Sequence, residues 1–168
     1  MKDVLSEIIL NKKVEVARQK ELLPLSELEK QLLQKRDTIK FRSLKEALLN
    51  SKTGIIAEFK RRSPSKGWLH EHANVKEVTK AYENARASAL SVLTDENYFG
   101  GTLADLKSAV QNVQIPVMRK EFIVDEYQIF EAKLMGASAI LLIAAAITQE
   151  DSKRFTKLAN ELQLDVLL

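Results

Sequence analysis

There is no cysteine in these 168 residues, and histidine occurs only as His70 and His72. The first absence excludes disulfides and thiolate metal sites, and the second leaves too few imidazoles for a histidine-rich zinc site. No apolar run approaches the roughly 18–20 residues that a membrane span needs. Met1 to Leu23 is an amphipathic, charged segment without the apolar centre of a secretory signal. A chain that neither spans a membrane nor is secreted is expected, in a reducing, cytoplasmic setting. Aromatics make up only 6% of the chain, and no platform interleaves them with basic residues. The net charge is only +3, with lysines spread among nearly as many acids. That balance agrees with an anionic small-molecule ligand rather than with nucleic acid. What is present, 45% apolar and 29% charged residues with few Gly or Pro, describes a soluble chain able to bury a real core.

Apolar residues switch repeatedly between strand-like runs and a helical period. Leu5, Ile8 and Ile9 open a first helix. A second begins near Pro24-Leu25-Ser26, with Ser26 and Glu29 at capping-box spacing, and Ser43 and Glu46 repeat that signature before a third. From Gly54 the order becomes strand, then helix. Ile55 to Lys60, Ala89 to Thr94, Pro116 to Lys120, the apolar run Ala137 to Ala144 and Leu164 to Leu168 read as strands. Between them, Val75, Val78, Tyr82 and Ala85, then Leu103, Leu106, Val110 and Val113, then Glu126 to Met135, and finally Phe155, Leu158, Ala159 and Leu162 carry helical spacing. Thr148 and Asp151 sit at capping-box spacing ahead of the last helix. Two regions are expected: a helical extension over 1–52 and an α/β region over 53–168.

Strands separated by helices and buried on both faces pair in parallel, since crossover helices must cover the sheet. A dinucleotide-binding sheet would carry a glycine-rich turn after its first strand, whereas here that turn reads Arg61-Arg62-Ser63-Pro64-Ser65-Lys66-Gly67. Chemistry-bearing residues gather instead where strands end: Glu58 and Lys60, then Thr94 and Asp95, then Lys120. This is where α/β barrels keep their active sites, although open α/β sheets bind at the same edge. Period-two alternation puts Ile56, Glu58 and Lys60 on one face, with Glu58 and Lys60 about 7 Å apart along the strand. Burying such a pair is costly unless a ligand or chemistry uses it. An ordinary ion pair at a strand end is the plainer explanation. Likewise a lysine at a strand end is commonly a solvated rim residue, Ser63-Pro64-Ser65 alone is a turn, and Phe122 and Leu141 on spacing alone are core. Arg61 and Arg62 are either a solvated loop or a steering charge for an anion. Nothing is assigned to His70 or His72.

Taken together, Ile56-Ala57-Glu58-Phe59-Lys60 with Ser63-Pro64-Ser65-Lys66-Gly67, Ala89 to Asp95 with Tyr98-Phe99-Gly100-Gly101, and Pro116 to Asp125 leading into Tyr127-Gln128-Ile129 resemble indole-3-glycerol phosphate synthases. The similarity continues through Gly136-Ala137 and Ile140 to Ile143, and is looser over the amino-terminal helices. The resemblance implies a (β/α)8 barrel, of which this chain would hold about strands 1–5 behind amino-terminal helices. It implies a lyase of tryptophan biosynthesis without metal or cofactor. That enzyme closes the ring of 1-(2-carboxyphenylamino)-1-deoxyribulose 5-phosphate, a sugar phosphate bearing an anthranilate ring, and releases carbon dioxide and water. At matching positions Lys120 would be the general acid, its pKa lowered by burial beside other cations. Lys60 would meet the anionic groups of the substrate and take part in later proton transfers, while Glu58 would hold the lysines and substrate hydroxyls. Ser63, Pro64 and Ser65 would shape the first loop around the substrate. Phe99, Phe122 and Leu141 would flank the anthranilate ring.

The chain departs from that pattern where it stops. A barrel of this kind has eight strands and about 250 residues; Leu168 falls inside the fifth strand, ahead of the family's proposed general-base glutamate, an asparagine, a serine and the glycine-rich phosphate cradle. A truncated, amino-terminal portion, inactive alone, is therefore expected, with open strand edges, so that it either self-associates through them or is only loosely ordered near Leu164 to Leu168. Arg86-Ala87-Ser88 stands where the family usually has glycine, which should alter a turn. Two other functions fit the residues: a phosphosugar barrel enzyme using Lys120 as a Schiff-base nucleophile, and an inert half-barrel that serves as an assembly module.

Overall fold

The computed structural model describes residues 4–35 and 38–168. Met1 to Asp3, the start of the amphipathic segment, and the pair 36–37 lie outside the described residues. Three helices come first: α1 (Val4–Leu22), α2 (Leu25–Lys35) and α3 (Leu44–Leu49). There follow β1 (Ile56–Phe59), a small hairpin of β2 (Arg62–Ser63) and β3 (Gly67–Trp68), α4 (Val75–Asn84), β4 (Ala89–Leu93), the one-turn α5 (Glu96–Phe99) and α6 (Leu103–Asn112). The chain continues with β5 (Val117–Lys120), α7 (Glu126–Leu134), β6 (Ala139–Leu141), α8 (Gln149–Glu161) and β7 (Asp165–Leu167).

The main sheet has the order β1-β4-β5-β6-β7, every pair parallel. Each strand lies beside the one before it, so the chain winds in a single direction. A doubly wound sheet would reverse from its first strand, and this order is that of a (β/α)8 barrel's first five strands. The two faces of the sheet confirm the distinction. Phe59, Leu90, Val92, Val117 and Ile140 face helices α4, α6, α7 and α8 through Val75, Leu106, Ile129 and Phe155. The other face carries Ile56, Ala89, Met118, Ala139 and Leu141, which pack on Leu44 and Leu48 of α3. Helix α3 thus covers the amino-terminal end of the inner face. Ser43 caps it, accepting from the Glu46 N–H at 3.1 Å, and Asp165 on β7 accepts from the Ser43 hydroxyl (2.9 Å) and the Lys45 N–H (3.0 Å). Helices α1 and α2 dock on α7 through Val16, Leu28, Tyr127 and Leu134.

Element types follow the apolar periods, with four differences. Ser26 and Glu29 form no cap, because Pro24 opens α2 two residues earlier and its carbonyl accepts from Glu27 N (2.9 Å) and Leu28 N (3.2 Å). The apolar run 137–144 is strand only over Ala139–Leu141. Helix α5 and the hairpin β2–β3 are too short for a period to announce them. Arg86, where the family pattern has glycine, takes φ 66°, the left-handed region that favours glycine.

Candidate active site at the strand ends

Alternation along the strands aims Glu58 and Lys60 into the inner face above Ile56, and Lys120 above Met118. They converge. One Glu58 oxygen accepts from Lys60 Nζ at 2.9 Å and the other from Lys120 Nζ at 3.0 Å. Ser91 Oγ stands 3.5 Å from the oxygen that Lys120 uses. A single carboxylate therefore separates and orients two ammonium groups brought from two different strand ends. Burial pushes the Glu58 carboxyl up, but hydrogen bonds and charge from both lysines outweigh it and hold the group below the ordinary glutamate range. The cluster is not sealed: the side chains of Glu58, Lys60 and Lys120 remain 31%, 30% and 34% exposed. The deep burial expected for Lys120 is not what the fold provides.

Phe99 and Phe122 approach with ring centroids 5.9 Å apart and a 33° tilt, both half-buried. Leu141 lies on the inner face, packed against the cluster of Leu44, Ala89, Met118 and Ala139. Ser63 closes a tight turn in which its hydroxyl and carbonyl both accept from the Lys66 N–H, at 3.2 and 3.3 Å, while Pro64 and Ser65 are exposed at the hairpin tip.

Arg61 is neither a solvated loop residue nor a free steering charge. Its guanidinium grips Asp105 at 2.6 and 2.8 Å, donates to the carbonyls of Gly100 (3.1 Å) and Ala73 (3.2 Å), and stands 4.9 Å from the Phe59 ring. Asp105 meanwhile completes the capping box of α6 with Thr102. Arg62 donates to the Asn97 carbonyl at 2.9 Å and lies over the Trp68 ring. The loop after β1 is thereby pinned to the segment after β4. That segment turns at Gly100 and Gly101: Gly100 has φ 63° beneath Trp68, and a Cβ on Gly101 would collide with the Leu93 carbonyl.

A second charged cluster occupies the opposite, helix-facing side of the same strand ends. Arg119 donates to Thr94 Oγ1 (3.1 Å), the Gln128 carbonyl (2.7 Å) and Glu131 (3.2 Å), and lies 3.6 Å from Glu121. Thr94 donates to Glu121 at 2.7 Å. Lys12 of α1 reaches Glu15 (2.6 Å), Asp95 (2.9 Å) and Glu121 (3.3 Å). A cleft of about 370 Å³ beside it is lined by Lys12, Arg18, Asn97, Thr102, Arg119 and Glu121, among others. Burial would push the Lys12 ammonium down, yet Glu121, Asp95 and Glu15 hold it above the ordinary lysine value. Burial also holds the Glu131 carboxyl above its ordinary value, despite Arg119. Sequence reasoning placed Thr94 and Asp95 at a strand end but did not bring Lys12, Arg119, Glu121 and Glu131 to them. A lysine in the buried stripe Ile8, Lys12, Val16 was the available signal. Among the described residues, no group of three or more His, Cys, Asp or Glu side chains converges as metal ligands would, and no helix is long and apolar enough to cross a membrane.

A family model described as "Indole-3-glycerol phosphate synthase" matches residues 5–168. Proteins so named resemble the chain closely. The one from Bacteroides thetaiotaomicron is 51% identical over 168 residues, all of this chain and 64% of that protein. The one from Leptospira interrogans is 52% identical over 126 residues, 75% of this chain and 50% of that protein. The one from Neisseria meningitidis serogroup B is 43% identical over 169 residues, all of this chain and 65% of that protein. The chain thus spans less than two thirds of the length of these relatives.

Proposed function

This chain belongs to the indole-3-glycerol phosphate synthase family, and we propose that its Glu58, Lys60 and Lys120 serve that family's ring closure. The substrate would be 1-(2-carboxyphenylamino)-1-deoxyribulose 5-phosphate. Lys120 gives a proton to the ribulose carbonyl oxygen as the ring carbon bearing the carboxylate bonds to the carbonyl carbon. The carboxylate leaves as carbon dioxide, and its bonding pair restores the aromatic ring. The hydroxyl at the former carbonyl carbon departs as water on protonation by Lys60, and the neighbouring methylene gives up a proton to a base to form the indole double bond. Glu58 keeps the two ammonium groups apart and aimed. Phe99, Phe122 and Leu141 provide the apolar wall against which the anthranilate ring lies and its carboxylate is lost. Ser63, Pro64 and Ser65 border the substrate at the hairpin tip.

The observation that carries this reading is the single carboxylate bridging Lys60 and Lys120, since two cations held 2.9 and 3.0 Å from one acid at strand ends suit an anionic substrate and two proton donations. The test is fluorescence-detected turnover by this chain, alone and mixed with the carboxyl-terminal part of the Bacteroides relative. Turnover in the mixture supports the reading; none, with the two parts shown to associate, removes it.

We also propose that the chain by itself pairs with a second copy. The outer strands β1 and β7 each have one neighbour among the described strands, and Ile55, Leu167 and Leu168 are exposed beside them. Light scattering should show a dimer or larger species; a monodisperse monomer contradicts the pairing.

A further inference from the structure

We propose that Lys12 is a positioning residue for the aromatic slot: from α1 it ties the ends of β4 and β5 together and so sets the spacing of Phe99 and Phe122. This rests on the assignment of those two rings to the anthranilate slot. The ammonium, in a residue 4% exposed, contacts one carboxylate from each strand end, Asp95 after β4 and Glu121 after β5. Each of those carboxylates holds one of the aromatic residues by a short path. Asp95 Oδ1 accepts from Tyr98 N at 2.7 Å, capping α5, the helix that ends at Phe99. Glu121 Oε1, the oxygen facing Lys12, accepts from Phe122 N at 2.9 Å. Between Lys12 and either ring there is one carboxylate, bonded to the N–H of Phe122 itself or of Tyr98 just before Phe99. Glu15 reinforces the tie by accepting from Asn97 Nδ2 at 2.7 Å, joining α1 to α5 again.

The arrangement exceeds what docking a helix requires. An apolar residue at position 12 would continue the stripe of Ile8 and Val16 and seat α1 without desolvating a charge. The charge instead resolves a local conflict. Asp95 and Glu121 are both buried, and they would repel one another if no cation stood between them. Arg119 serves Glu121 from the far side, while Asp95 has Lys12 as its ion-pair partner. Removing the Lys12 charge therefore frees the β4 end, with α5 and Phe99, before it disturbs the β5 end. It leaves the inner-face cluster of Glu58, Lys60 and Lys120 in place, since none of these touches Lys12.

The test combines hydrogen–deuterium exchange with anthranilate binding, followed by the probe's own fluorescence, in wild type, Lys12→Met and Lys12→Arg. In Lys12→Met, exchange should rise at 98–101 and 122–124 and stay unchanged at 56–59. Anthranilate affinity should fall about tenfold, roughly 1.4 kcal/mol. Lys12→Arg should restore both. Where Lys12→Met does not fold, the double variant Lys12→Met with Asp95→Asn replaces it. It leaves no unpaired charge at position 95, and the asparagine carbonyl still accepts from Tyr98 N. Exchange that rises only within α1, or in neither loop, overturns the proposal. Wild-type protein that fails to bind anthranilate while the exchange pattern holds removes the assignment of the slot and leaves the coupling of Lys12 to the two loops standing.

Discussion

Arg119 and Lys120 are neighbours on β5, yet they belong to two clusters of opposite character. Arg119 points toward the helices into a buried network, its Nε and Nη1 donating to Thr94, Gln128 and Glu131 and its Nη2 lying beside Glu121. Lys120 points to the inner face, where one carboxylate is shared between two half-open ammonium groups. The difference teaches what each can do. A buried network whose donors are turned on its own carboxylates and carbonyls acts by holding strand ends and helices in register. An open cluster with an excess of cation over anion retains donors that are not tied to the protein's own carboxylate.

The largest effect expected from breaking this contrast is on the open side. Lys120→Met should reduce turnover in the complemented protein by about 10²–10⁴-fold, the usual contribution of a positioned acid. Because the pair is half-exposed, its unfolding free energy should change by less than about 1 kcal/mol. On the closed side the outcome inverts: Arg119→Met leaves Glu131 and Glu121 buried with fewer partners, and urea unfolding should show a loss of about 3–5 kcal/mol.

The pH dependence sharpens the comparison further, because the two clusters titrate in opposite senses. Glu58 sits below its ordinary value of 4.5, so the stability it contributes is present above that value and is lost as pH falls through the lowered folded value. Glu131 sits above 4.5 in the folded chain, so its contribution is present below 4.5 and is lost as pH rises toward the raised value. In melting curves collected between about pH 3 and 7, Glu58→Gln should remove part of the acid-side loss. Glu131→Gln should remove part of the loss on the rising side. The smallest effect lies outside both clusters: Arg86→Gly relieves a left-handed residue at φ 66° and should stabilise by about 1 kcal/mol.

How far the sequence could be read follows the same division. Strand–helix alternation and the period-two placement of Glu58 and Lys60 are local, and both hold in the fold. The convergence of Lys120 on Glu58 joins positions 62 residues apart, and the resemblance, not the spacing, brought them together. Of the buried network only Thr94 and Asp95 were legible, as residues at a strand end, because Lys12, Arg119, Glu121 and Glu131 look like ordinary surface charges until α1 is laid across the strand ends. Arg61 misled for the same reason, since its partner Asp105 lies 44 residues on. Ser26 misled through a local competitor, the proline two residues ahead of it, which opens the helix without a side-chain cap.

The most direct measurement of the division of labour on β5 is turnover and melting temperature taken side by side for Lys120→Met and wild type, each mixed with the carboxyl-terminal part of the Bacteroides relative. Lys120→Met should lose turnover while its melting temperature stays within a few degrees of wild type, roughly 2–4 °C per kcal/mol for a domain of this size. Retained turnover in Lys120→Met, or loss of turnover only together with loss of folding, would contradict it.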